Sequence, residues 1–141
     1  MPLTDRQLDL IQDSFHALRD DPRPKSIAFY DALFERAPDL RAMFRDEDLG
    51  GQGMRFMSTL AAIVDNLHDP TAMERRYTDL GMSHKAMGVT AQNFKPMGEA
   101  LLDTLANTLG EDFTPEMRDA WTRAYAEFSR EIIDKGSIPQ S

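Results

Sequence analysis

His84 is the residue of this sequence with the most chemistry to offer. It shares an apolar stripe with Tyr77 and Leu80, so a helix there takes its imidazole out of water. A buried imidazole tends to be neutral and needs a partner for each ring nitrogen. Its Nδ1–H reaches the Leu80 carbonyl one turn back. That leaves Nε2 as an inward-pointing lone pair, able to accept a hydrogen bond or ligate a metal. Alone, such a histidine is more often a satisfied core residue than a ligand. The facing wall changes the balance. Tyr30 from an earlier helix and Gln52, four residues before Phe56, each place a hydrogen-bond donor at the edge of an apolar space, and Phe44 adds a flat aromatic face. One imidazole opposite a phenol and an amide suits a flat apolar cofactor with an open metal position. Haem, whose iron takes one proximal histidine, fits that description. Tyr30 and Gln52 also have plainer readings. Tyr30 works as a core tyrosine bonded to a backbone carbonyl. Gln52 works as a solvent-facing amide, because Gly50, Gly51 and Gly53 leave its register loose.

The elements that must position these residues are helices. Apolar residues recur at three- and four-residue spacing almost throughout, with little alternation of period two. A first helix runs from about Thr4 to Leu18, carrying Leu8, Ile11, Phe15 and Leu18. A second follows the Asp20–Pro24 break with Ile27, Tyr30, Leu33 and Phe34 on one side. Ala37-Pro38 opens a short helix reaching Phe44, and residues 45–51 read as a polar loop. Next come a helix carrying Gln52, Phe56, Leu60, Ile63 and Leu67, and a stripe of Met73, Tyr77, Leu80, His84 and Met87 closed by Gly88. Thr90 caps a long helix to Leu109, which Pro96 should kink. Thr114-Pro115 opens the last helix, with Met117, Trp121, Ala124, Phe128 and Ile132, fading at Gly136. The fold class is all-α, with about seven helices. Trp121 and Tyr125 read as inter-helix packing, and the nine methionines as core filler.

The chain has 141 residues, 41% hydrophobic and 28% charged, enough for one domain over 1–141. Its helical core spans about 4–134, followed by a short flexible C-terminal tail. A net charge of −8 repels nucleic acid and anionic membrane. With no cysteine, a thiol nucleophile, a cysteine-ligated metal and a thioether-linked cofactor are all excluded. No stretch approaches the ~18 unbroken apolar residues of a membrane span, and the opening MPLTDRQLDL lacks a leader pattern, so the expected location is cytoplasmic. His16 and His68 read as exposed. Asp46-Glu47-Asp48 fails the spacing of a calcium loop, and Gly50-Gly51-Gln52-Gly53 lacks the ending of a phosphate loop.

Over about residues 4 to 134 the sequence resembles the bacterial single-domain globins, close to Vitreoscilla-type haemoglobin and the globin domain of flavohaemoglobins. The similar stretches are Phe29-Tyr30-Asp31-Ala32-Leu33-Phe34, Ala37-Pro38-Asp39-Leu40-Arg41-Ala42-Met43-Phe44 and Ser83-His84-Lys85-Ala86-Met87-Gly88-Val89, with Asp119-Ala120-Trp121 and Tyr125 in the last helix. The resemblance implies a globin fold around a haem pocket, its helices crossing at about 50°. It implies His84 as proximal iron ligand, Phe44 packed on the haem, and Tyr30 with Gln52 as the distal hydrogen-bonding pair. Phe56 would be the apolar distal residue, Arg55 a partner for a haem propionate, and Leu80, Val89 and Phe94 further haem contacts. The cofactor would be haem b, held without covalent attachment. Dioxygen, nitric oxide and carbon monoxide would be the ligands of a monomer or homodimer. The expected function is oxygen binding or transport. Nitric oxide dioxygenation with a separate electron-donating reductase and gas sensing are the alternatives. Two departures matter. Phe94 stands where flavohaemoglobins carry a tyrosine behind the proximal histidine, and their glutamate position falls near Gly136, with Asp134 the nearest acid. The resemblance therefore implies an ordinary imidazole and weak peroxidase-like chemistry.

Overall fold

The computed structural model describes residues 3–44 and 49–140. The acidic run Asp46-Glu47-Asp48 lies outside the described residues. Among the described residues six α-helices follow one another: α1 (Asp5–Arg19), α2 (Pro22–Arg36), α3 (Leu49–Asp65), α4 (Glu74–Ala86), α5 (Phe94–Leu109) and α6 (Pro115–Gly136). The short helix expected after Ala37 is a 3₁₀ segment, Pro38–Met43. No strand is present among the described residues.

Local chemistry accounts for four of the helix starts. Thr4 caps α1 reciprocally: its Oγ1 accepts from the Gln7 amide at 3.1 Å while Gln7 Oε1 accepts from the Thr4 amide at 3.0 Å. Thr114 Oγ1 accepts from the Met117 amide at the start of α6. Pro22 and Pro24 fill first-turn positions of α2 whose amides have no intrahelical partner. Pro96 does the same for α5, which begins at Phe94 after a 3₁₀ turn over Ala91–Asn93. The change of pitch thus precedes the proline, and the expected kink at Pro96 gives way to a helix start. The expected loop over 49–51 is also helix. Glycines weaken a helix by about 1 kcal/mol each, but here a tertiary contact overrides propensity. A Cβ on Gly53 would lie 2.7 Å from Ser26 Oγ, so its absence lets α3 close onto α2.

The core collects the stripes. Ile11, Phe15, Leu105 and Trp121 are fully buried, whereas Ile27, assigned to the inner stripe of α2, is 55% exposed. Met54, Met82 and Met87 are also exposed, so not every methionine fills the core. Trp121 does pack between helices, and its indole N–H donates to Ser14 Oγ at 2.7 Å. That hydroxyl donates in turn to the Leu10 carbonyl at 2.7 Å, which satisfies both buried groups. Ile138 is buried, and the Pro139 carbonyl accepts from the Ala91 amide at 2.8 Å. These residues pack against the turn before α5.

The crossing of α4 with α6 brings backbone onto backbone. Gly81 of α4 and Gly136 at the end of α6 meet backbone to backbone, and a Cβ on either would overlap the other chain segment. Overpacking of this kind costs about 1–3 kcal/mol, occasionally more. Gly81→Val should therefore lower the urea midpoint of unfolding by at least that equivalent. An unchanged midpoint would contradict so close a crossing.

Candidate functional site

A cavity of about 370 Å³ opens between α2 and α3 on one side and α4, α5 and α6 on the other. Its size suits a small-molecule or cofactor site. All nine residues singled out from sequence line it: Tyr30, Phe44, Gln52, Arg55, Phe56, Leu80, His84, Val89 and Phe94. Most of the remaining lining is aliphatic or aromatic. Among the described residues His84 is its one imidazole, and neither an aspartate nor a glutamate reaches it. His16 and His68 are exposed elsewhere.

His84 stands in the last turn of α4 and is half-buried. Its Nδ1 lies 2.6 Å from the Leu80 carbonyl oxygen. A carbonyl only accepts, so Nδ1 carries the proton and the neutral ring keeps its lone pair on Nε2. The chain then reverses at Gly88, whose φ of +88° is the left-handed region. The Val89 amide returns to the His84 carbonyl at 3.0 Å, and Val89 is buried beside the site. Behind the imidazole, the Phe94 ring lies 5.7 Å away, tilted by 41°. The partner of Nδ1 is thus a neutral carbonyl, not a phenol or carboxylate.

The other wall is an aromatic cluster. Tyr30 is 7% exposed and meets Phe44 edge-on at 5.3 Å, while Phe29 and Phe56 stack at 4.2 Å. Burial pushes the Tyr30 phenol up to about 12, against the lowering effects of a hydrogen bond with the Gln52 side chain and of the Arg55 charge. Gln52 sits in the first turn of α3, half-buried, on the same helix face as Arg55, Phe56 and Thr59. Its Oε1 accepts from Arg55 Nη2 at 3.0 Å and Nε at 3.3 Å. The arrangement puts hydrogen-bond donors near one imidazole lone pair in otherwise apolar surroundings. Such a space can hold a flat apolar ligand and bind a small polar group at its edge.

Sequence reasoning does not place Tyr125, Thr59, Met43, Met87 or Met97 in this site, yet all line the cavity. Thr59 carries a usable signal, since it lies four residues from Arg55 and seven from Gln52 on one face. Tyr125 carries none. It does pack between helices as its spacing suggests, but its hydroxyl also donates to the Phe94 carbonyl across α5 and α6, and its ring lies over Gly98, where a Cβ would clash.

All three tyrosines of the chain are shifted upward, chiefly by burial: Tyr30 and Tyr77 to about 12, and Tyr125 further. The neutral phenol is the favoured folded form, so this contribution to stability is complete below pH ~10, the unfolded value. It is lost as pH rises from there through the folded values. A titration followed at 295 nm should therefore show no phenolate forming near pH 10 in the folded protein, with ionisation and unfolding arriving together at higher pH. A reversible step near pH 10 without unfolding would contradict the burial.

The globin family model matches residues 27–132. Among similar proteins are the neuroglobin of Danio rerio, 30% identical over 88% of this chain and 86% of its own length, and that of Dissostichus mawsoni, 29% identical over the same shares. Neuroglobin-1 of Oncorhynchus mykiss is 29% identical over 87% and 86%. These relatives are vertebrate proteins, not bacterial single-domain globins. Helices enclosing this cavity on both sides, with a family match over most of the chain, place the protein in the globin family.

Proposed function

We propose that the cavity holds haem b and that the protein binds dioxygen reversibly. The observation that carries this reading is the single imidazole. A bare transition-metal ion needs about four ligands, and the described lining supplies one imidazole nitrogen and no carboxylate. A metal that arrives held by its own macrocycle needs only that one nitrogen. The apolar walls, the flat faces of Phe44 and Phe56 and the exposed Arg55 at the edge fit a porphyrin with an apolar body and acidic rim. Without cysteine, attachment is non-covalent.

When bound, haem supplies an iron with one open position for a diatomic gas. His84 Nε2 would hold that iron, and the Leu80 carbonyl keeps the ring in the required tautomer. Tyr30 and Gln52 would donate hydrogen bonds to a gas that gains negative charge on binding, which favours dioxygen over carbon monoxide. Hydrogen bonds to charged groups contribute about 1.5–3 kcal/mol, or roughly ten- to a hundredfold in affinity. The carbonyl partner of His84 supports reversible binding over peroxide chemistry, because it pushes less electron density through the imidazole than a carboxylate does. Nitric oxide and carbon monoxide are further ligands on this reading, and the expected location is cytoplasmic. Kinship with the bacterial single-domain group rests only on the quoted sequence stretches, and the function proposed does not depend on it.

Purified protein supplied with hemin should develop a Soret band, and His84→Ala should abolish it. A colourless wild-type chain, or full uptake by the variant, would overturn the reading. Tyr30→Phe should speed dioxygen release about ten- to a hundredfold and carbon monoxide release much less. Equal effects on both gases would remove Tyr30 from the donor role.

A further inference from the structure

We infer that Arg55 is a positioning residue acting through Gln52: its guanidinium holds the amide oxygen, so that the amide N–H₂ is turned to the Tyr30 hydroxyl and the cavity. The inference rests on the reading of Tyr30 and Gln52 as donors to a ligand in that cavity.

A glutamine amide has an accepting end and a donating end, and an unrestrained one presents either. Here Oε1 receives two N–H groups from one guanidinium, Nη2 at 3.0 Å and Nε at 3.3 Å. A flipped amide would set its N–H₂ against those cationic donors, leaving both without an acceptor. The network therefore assigns the orientation. Arg55 and Gln52 are three residues apart on α3, so the pair closes within one turn of an already formed helix. The donating end is then left for the cavity that Gln52 and Tyr30 both line. If the phenolic oxygen accepts from Gln52, its own O–H is left for a ligand. All three steps run the same way: cation to amide oxygen, amide hydrogen to phenol oxygen, phenol hydrogen to ligand. Bonds arranged head to tail polarise one another. The pair engages two of the five guanidinium N–H groups, and the exposed remainder of Arg55 stays available to an acidic group at the rim.

The test compares Arg55→Met, Gln52→Leu and the double variant, all as the ferrous carbonyl form and as the dioxygen complex. Arg55 is exposed, so its replacement leaves the helical fold intact, which an unchanged far-ultraviolet circular dichroism spectrum checks. In Arg55→Met the carbonyl stretch should split or broaden, because two amide orientations coexist. Dioxygen release should quicken about threefold or more, a loss of roughly 0.6 kcal/mol by the usual conversion. In the Gln52→Leu background the same change at Arg55 should add nothing to either readout, as expected for a residue acting through its neighbour. Arg55→Lys should restore a narrow stretch only in part, since a point charge lacks the fork. An unshifted stretch in Arg55→Met, or an equal effect with and without Gln52, would overturn the inference. Failure of the underlying reading looks different: Tyr30→Phe and Gln52→Leu themselves would then leave the stretch and the release rate unaltered.

Discussion

The hydrogen bond from His84 Nδ1 to the Leu80 carbonyl closes within a single turn of α4, and it decides where the free imidazole lone pair points. The residue after Leu80, Gly81, sets the depth of that turn in the molecule, because its backbone lies directly on Gly136 of α6. Orientation and position of the imidazole thus come from two adjacent residues. The first is a local consequence of helical geometry. The second is a long-range contact that only two glycines permit. Without it α4 would stand off from α6, and His84 would share no wall with Phe94 and Tyr125.

The chemistry of the site follows from how few polar groups it contains. In apolar surroundings each remaining hydrogen bond is electrostatically stronger than in water, and each unpaired polar group costs more. The described lining contains one imidazole, one amide and one guanidinium, with the hydroxyls of Tyr30, Thr59, Ser83 and Tyr125, and no carboxylate. Tyr125 already donates to the Phe94 carbonyl. Tyr30 is left as the buried phenol beside Gln52, and burial keeps it protonated far above neutral pH. A protonated phenol is a donor. The acidic surface, net −8, stays outside, where it serves solubility and not the site.

Much of this was legible because it is written in short-range spacing. His84 four residues after Leu80 foretells the bond to the Leu80 carbonyl. The stripes of α3 and α4 foretell which faces turn inward, and Gly88 foretells the reversal after α4. Thr4 and Thr114 announce helix starts through chemistry that reaches only three residues. The misreadings share a cause. The glycines at 50 and 51 resemble a loop because isolated propensity disfavours them in helices, yet α3 runs through them and closes onto α2 at the bare Gly53. Pro96 resembles a kink until the 3₁₀ turn before it places the helix start at Phe94. Ile27 falls in phase with Tyr30 only approximately, and the turn of α2 carries it to solvent.

By itself, then, the sequence determined the helical class, the caps and the identity of the imidazole, phenol and amide that face one another, since each depends on neighbours within about one turn. Tertiary structure alone decided the close approach of Gly81 to Gly136, the bond from Trp121 to Ser14, the reach of Tyr125 to Phe94 and the docking of the tail onto Ala91. These partners are separated along the chain by tens of residues. No period in the sequence encodes which pair will meet. That choice is made when the stripes pack together and every buried donor must find its acceptor.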